Sequence, residues 1–280
     1  ILVIPNGVAD SFFRPVSAEG EAALENAGLA DKQFVLLPRG LNYRKNADLV
    51  LSAWPILSRL NPDLFLVVTS HTGLGFGVTR LIGGLAFSLG LVLVVVAGAE
   101  LFTGNNLIAM AWASRRVSTA ELLRNWVVAC AGNLAGAAGL AVLVWLAGLA
   151  ALNHGALGQT LVQIATTKAQ LPWGEAFFRG VLCNLLVCMA VWMTLAGRSV
   201  TDKVLAIVFP ITAFVAAGFE HSVANLFFFP MAWLLGAPIT LAAMLGNLLP
   251  VIAGNIVGGS VLVAAVYWVI YLRPADRSSP

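Results

Sequence analysis

The sequence predicts an α-helical membrane bundle, built as an inverted repeat with two broken helices and preceded by a short α/β segment. Three observations predict it: the composition, the uneven placement of charge, and a self-match at offsets of 120 and 122 residues. Of the 280 residues 59% are hydrophobic and 10% charged, with mean hydropathy +0.89. A soluble domain holds roughly 45–50% apolar and about 25% charged residues. A water-soluble enzyme is therefore excluded over most of the chain, and so is a disordered chain. A net charge of +3 with no basic block excludes a nucleic-acid binder. Three cysteines make no disulfide framework. No catalytic constellation, cofactor motif or metal cluster is expected. The opening Ile1–Asp10 has neither the basic start nor the initiating Met of a secretory leader, so none is expected.

Residues 1–72 carry 6 Lys/Arg and 7 Asp/Glu, near the soluble norm, whereas residues 73–280 carry 10 and 6. The step near Ser70–Gly77 divides the chain into segments 1–72 and 73–280. A helix needs about 20 apolar residues to cross a bilayer. Five stretches qualify: 79–112, 123–150, 175–197, 204–234 and 247–272. The first and fourth are too long for one straight helix. Each carries polar residues at mid-depth: Glu100, Thr103, Asn105 and Asn106 in one, Glu220, His221, Ser222 and Asn225 in the other. Backbone that leaves helical geometry inside hydrocarbon is tolerated only where protein or a cavity satisfies it, so both stretches are expected to be broken.

Charge gives the orientation. Arg115, Arg116, Arg124, Arg198, Lys203, Arg273 and Arg277 fall on one side if the spans alternate, against Arg80, Lys168 and Arg179 on the other. The positive-inside rule places the seven, and the C-terminus, in the cytoplasm.

An offset of 120 aligns Gly98, Glu100 and Asn105 with Gly218, Glu220 and Asn225, and an offset of 122 aligns Ala131–Gly136 with Ala253–Gly258. Spans one and two thus repeat as spans four and five, and a shift of three spans inverts the copy. Paired broken helices in inverted repeats point to a site at the midplane. Chance matching of Gly and Asn in apolar sequence is the competing explanation, but the matched positions are the broken ones. Span three should have a counterpart near residues 55–75. Pro55, Arg59, Pro62 and Asp63 make that region too polar to span. The chain is therefore expected to show a gap where that helix belongs, opening the pore wall to lipid or a neighbouring protomer, so that the chain alone would not seal a selective pore.

Gly98–Gly104 (GAELFTG), Asn184–Cys188 (NLLVC) and Gly218–Asn225 (GFEHSVAN) resemble the signatures of the formate/nitrite/hydrosulfide channel family. The resemblance runs over about residues 73–273. It implies an aquaporin-like bundle with five of six spans present, a homopentamer with one anion pore per protomer, and residence in the bacterial inner membrane. It implies formate, nitrite or a similar small anion as substrate, with a proton as partner. His221 is the central histidine of the motif, and its ordinary pKa near neutrality suits proton exchange with an anion. Thr103 opposite it would donate to His221 or to the anion. Asn184 resembles a pore-facing asparagine. Phe87, Leu91 and Leu101, with Val187 and Phe214, match the family's hydrophobic slits, although ordinary helix packing uses the same residue types. Glu100 and Glu220, with Asn105 and Asn225, are expected to support the broken helices, since a free carboxylate repels anions. Lys168 resembles a vestibule lysine in an external loop, where a lone lysine is otherwise merely solvated.

Residues 1–70 are similar to the start of the nucleotide-binding half of a GT-B glycosyltransferase, through Val3–Val8, Phe34–Leu37, Arg44–Asn46, Ala53–Trp54 and Leu64–Val68. Arg39 and Lys45 are its candidate diphosphate contacts. The family's Glu-x7-Glu region is absent, and about 70 residues close little core alone. A membrane-attached glycosyltransferase fragment, or a chimera without intact function, is accordingly the alternative.

Overall fold

The computed structural model describes residues 76–272. The expectations for segment 1–72, for Arg39 and Lys45, for the missing span near 55–75 and for Arg273 and Arg277 lie outside these residues.

The described chain is helical. In order it forms α1 (Phe76–Ala97), a 3-10 turn (Gly104–Ile108) running into α2 (Ala109–Ala113), α3 (Thr119–Leu146), α4 (Ala156–Ala169), α5 (Trp173–Ala196), α6 (Val200–Ala217), α7 (Ser222–Leu234) and α8 (Leu241–Ile256). α8 continues through π-helical turns at Val257–Ala265 and Trp268–Leu272. Five stretches are long and apolar enough to cross a membrane: Phe76–Ala97, Thr119–Leu146, Trp173–Ala196, Val200–Ala217 and Leu241–Leu272. The first and fourth sequence spans each divide, leaving 98–103 and 218–221 between helical pieces.

Local chemistry sets these boundaries. Gly98 (φ +80°) and Gly218 (φ +75°) end α1 and α6 in the left-handed conformation that glycine adopts without a side-chain clash. The Phe219 N–H returns to the Phe214 carbonyl at 3.1 Å, closing the last turn of α6. Arg80 Nε donates to the Ala216 carbonyl at 3.1 Å, placing a cation at that helix's negative end. Ser118 with Glu121, and Ser199 with Asp202, form capping boxes at the starts of α3 and α6. Thr240 caps α8 by accepting from the Ala243 N–H. Ser118 and Thr240 stand 122 residues apart, the offset of the second repeat block.

One element was not expected. The external loop assigned to Lys168 is a helix, α4, whose Leu157, Leu161 and Ala165 are buried at helical spacing. Fourteen residues are too few to cross a bilayer. The helix packs against α7 and α8 instead, and Lys168 occupies its last turn.

Two helix pairs form the frame. α1 lies along α6, where Gly84 comes so close that a Cβ would stand 2.8 Å from Thr212 Cα. Ser88 Oγ donates to Gly84 O at 2.9 Å and to Val208 O at 3.4 Å across the same seam. α5 lies on α8 and its π-helical continuation. A Cβ at Gly254 would collide with the Phe177 carbonyl oxygen, and one at Gly258 with that of Val181. A Cβ at Gly259 would stand 2.8 Å from Cys188 Sγ. This near contact of backbones coincides with the π-helical turns, a feature concentrated where helices bend around functional sites.

The repeat counterparts of Gly254 and Gly258 are Gly132 and Gly136 on α3, both exposed, with no described atom within 4 Å of a Cβ. Gly258→Ala should therefore destabilise the protein by roughly 3 kcal/mol or more, the upper range for overpacking a filled site. Gly132→Ala should be neutral, or stabilising by up to about 1 kcal/mol through helix propensity. Unfolding of both variants in detergent measures the difference, and equal effects would refute it.

Candidate functional site

The two breaks are held by matching hydrogen bonds. At the first, Asn133 of α3 accepts from the Phe102 N–H at 2.8 Å and donates to the Glu100 carbonyl at 3.0 Å. At the second, Asn255 of α8 accepts from the Ser222 N–H at 3.0 Å and donates to the Glu220 carbonyl at 3.1 Å and to Gly180 O at 2.8 Å. One carboxamide supplies the donor and the acceptor that each interrupted backbone lacks.

The two glutamate carboxylates hold asparagine side chains: Asn105 Nδ2 donates to Glu100 at 2.7 Å, and Asn225 Nδ2 to Glu220 at 2.8 Å. Each of these asparagines donates onward, Asn105 to Asn125 at 3.0 Å and Asn225 to Asn247 at 2.7 Å. Asn133 and Asn255 lie inside the matched sequence blocks but were not identified as supports. Asn125 and Asn247 were missed, although their separation of 122 residues carries the signal.

The second network closes on itself. Lys168 Nζ donates to Glu220 Oε1 at 2.8 Å, and Asn247 Nδ2 donates to the Lys168 carbonyl at 2.9 Å. Lys168 is thus not a lone solvated cation. Its side chain is 15% exposed, lies 5.8 Å from the Phe228 ring centroid, and faces a carboxylate 5% exposed. Glu100 is exposed, and among the described residues no cation pairs with it.

His221 stands at the second break as the N-cap of α7. Its Nδ1 accepts the Ala224 N–H at 3.2 Å, and its Nε2 lies 3.0 Å from Thr103 Oγ1. A backbone N–H can only donate, so Nδ1 is unprotonated, the neutral ring carries its proton on Nε2, and that proton points at Thr103. Thr103 is fully buried. Phe214 stacks on the imidazole at 5.9 Å between centroids, and Phe87 meets it edge-on at 6.4 Å.

The imidazole borders a cavity of 720 Å³ whose lining is chiefly apolar and includes Phe87, Leu91, Leu101, Val187 and Phe214. These are the five residues expected to form hydrophobic slits, and the structure places them around one space. A second cavity of 370 Å³ is lined by Asn105, Thr194 and Lys203. Leu101 and Val94 border both cavities and stand between them. Thr103 and Asn184 are not among the lining residues of either. Asn184 is fully buried, and its Nδ2 lies 3.1 Å from Thr103 O, 2.8 Å from Asn106 Oδ1 and 2.7 Å from Asn255 O. It ties α5 to the first break and to α8.

Comparison with known proteins places this geometry. Residues 64–269 match the family model described as formate/nitrite transporter. The formate channel FocA of Escherichia coli K12 is 42% identical over 232 residues, covering 75% of this chain and 81% of that protein. A probable formate transporter of Methanothermobacter thermautotrophicus is 41% identical over 218 residues, covering 73% and 80%. A solved structure described as a pentameric formate channel with formate bound superposes with TM-score 0.67 at 37% identity, covering 80% of this chain and 99% of that one. The chain belongs to the formate/nitrite transporter family.

The Lys168–Glu220 pair yields a prediction. Removing one member of a buried pair strands the other charge, at a cost of roughly 3–5 kcal/mol. Lys168→Met and Glu220→Gln should each lower the unfolding midpoint strongly, and the double variant should recover much of the loss. Additive effects in that cycle would show that the two side chains do not depend on each other.

Proposed function

We propose that residues 73–280 form a membrane channel for small monovalent anions of the formate and nitrite class, coupled to protons through His221, and not an enzyme. The observation that carries the reading is the neutral imidazole at the wall of an apolar cavity. A bare anion there loses water that nothing replaces. Two features lower that barrier. The N-terminus of α7 begins beside His221 and brings the positive end of a helix dipole to mid-depth. The imidazole can also neutralise an anion by proton exchange, and ionisable side chains at this depth are usually functional.

His221 exchanges the proton and Thr103 holds its Nε2. Phe87, Leu91, Leu101, Val187 and Phe214 keep the path narrow and dry, so that an anion passes more readily once neutralised. Glu100, Glu220, Asn105, Asn225 and Asn184 support the breaks without touching the anion, and Lys168 acts through Glu220. The bilayer is the surroundings. The pentameric neighbour supports a homopentamer, and the membrane is taken to be a bacterial inner membrane. The basic residues Arg115, Arg116, Arg124, Arg198 and Lys203 support a cytoplasmic C-terminus. The glycosyltransferase-like alternative rests on residues 1–72 alone.

The test is formate or nitrite uptake into proteoliposomes at several pH values. In a complete pore, flux should show a pH dependence that His221→Asn abolishes, because the amide keeps hydrogen-bonding capacity and loses the titrating group. Unchanged flux and pH dependence in the variant would overturn the reading.

A further inference from the structure

The two breaks differ in the backbone donors they leave unpaired. At the second, the Phe219 N–H reaches the Phe214 carbonyl at 3.1 Å and the Glu220 N–H reaches the Arg179 carbonyl at 3.2 Å. Their repeat counterparts, 120 residues earlier, are the N–H groups of Ala99 and Glu100. Neither of these, nor the N–H of Leu101, has a hydrogen-bond partner among the described residues. Irregular backbone at membrane depth is tolerated where it lines a cavity. Ala99 and Leu101 line one, the 370 Å³ cavity that Leu101 and Val94 separate from the space beside His221.

The cations differ in the same way. α1 and α6 run antiparallel, since Gly84 meets Thr212, Ser88 meets Val208 and Arg80 meets Ala216. Each helix thus begins beside the other's broken end. Arg80, at the start of α1, is engaged at the end of α6: Nε donates to the Ala216 carbonyl, and a Cβ at Gly218 would stand 2.6 Å from its second guanidinium nitrogen. Lys203, in the first turn of α6, shares the wall of the 370 Å³ cavity with Val94 and Ala99 at the end of α1. Its stem runs over Gly197, where a Cβ would stand 3.1 Å from Lys203 Cγ. Among the described residues the Lys203 ammonium has no hydrogen-bond or ion-pair partner. No acidic side chain of these residues lines the cavity, and the Glu100 carboxylate is held by Asn105.

We infer that this cavity is a second anion subsite, in which the Lys203 ammonium and the N–H groups of Ala99 and Leu101 hold a small planar monovalent anion on the opposite side of Leu101 from His221. The inference rests on the anion-channel reading and adds to it a holding site at the first break. A cation and two N–H donors replace part of the hydration that an anion gives up on leaving water. The cavity is wide enough for a formate-sized anion to keep some of its own water, since one water takes about 30 Å³ of liquid. Leu101 offers its N–H to this subsite and its side chain to both cavities, so an anion held here stands at the apolar partition. The anion stays charged at Lys203, and a proton reaches it only beyond Leu101.

The test titrates sodium formate into the ¹⁵N-labelled full chain in nanodiscs and follows the amide resonances of Ala99 and Leu101, with formamide as a neutral probe of similar shape. Binding at equilibrium needs neither a sealed pore nor flux, so its outcome is separable from that of the transport reading. Formate should shift both resonances saturably with one dissociation constant, and formamide should not. Lys203→Gln should raise that constant about tenfold or more, as expected when a hydrogen bond between charged partners is lost, while thermal unfolding stays unchanged. Arg116→Gln, which removes an exposed cation outside the cavity, should leave the constant unchanged. Absence of a saturable shift, as when water alone fills the cavity, would overturn the inference. So would an equal shift with formamide, formate binding that Lys203→Gln spares, or binding that Arg116→Gln weakens as much.

Discussion

Backbone that leaves a helix inside hydrocarbon must find its hydrogen bonds in the protein, and in this molecule it finds them in asparagine. Asn133 and Asn255 each bridge one interrupted segment, taking a backbone N–H and giving to a backbone carbonyl two residues earlier. Without that bridge, each break would leave stranded polar groups worth roughly 1–3 kcal/mol apiece. With it, the chain can interrupt two membrane helices and present non-helical residues to the interior. The position of His221 follows, since it caps the helix that restarts after the second break.

The two halves share this device and then diverge. Both have a glutamate and a pair of asparagines after the break, but only the second brings a lysine to the glutamate among the described residues. The short helix α4 delivers that lysine, and the circuit Lys168–Glu220–Asn225–Asn247 returns to the Lys168 carbonyl. The second break, which carries His221, is therefore the more completely braced. Its bracing also fixes the imidazole: the Ala224 N–H claims Nδ1, which leaves Nε2 to carry the proton towards Thr103. The tautomer that the proposed proton exchange would use is thus a consequence of helix capping.

The spans and the repeat were legible because apolar length and residue identity at a fixed offset are local properties of a sequence. Gly98, Gly218, Glu100 and Glu220 could be aligned without knowing what they touch. The contacts of Lys168 were not legible. Reading a lysine between two spans as loop is the ordinary inference, and only the spacing of Leu157, Leu161 and Ala165 hinted at α4. The pore-facing reading of Asn184 comes from the resemblance to a family asparagine and not from its spacing. Its actual partners are backbone carbonyls and an asparagine on other elements, which no spacing reveals. Asn125 and Asn247 share the 122-residue offset, but asparagine near the end of a span reads as interfacial.

Amide hydrogen exchange at Phe102 and Ser222, with the protein in nanodiscs, tests the asparagine bridges most directly. Their N–H groups lie outside helical ladders, so only the side chains of Asn133 and Asn255 protect them. Both should exchange roughly a hundredfold more slowly than the amides of Asn153 and His154, which are exposed and take positive φ, as expected of groups that open only with the surrounding structure. Exchange at Phe102 and Ser222 as fast as at Asn153 and His154 would contradict the account.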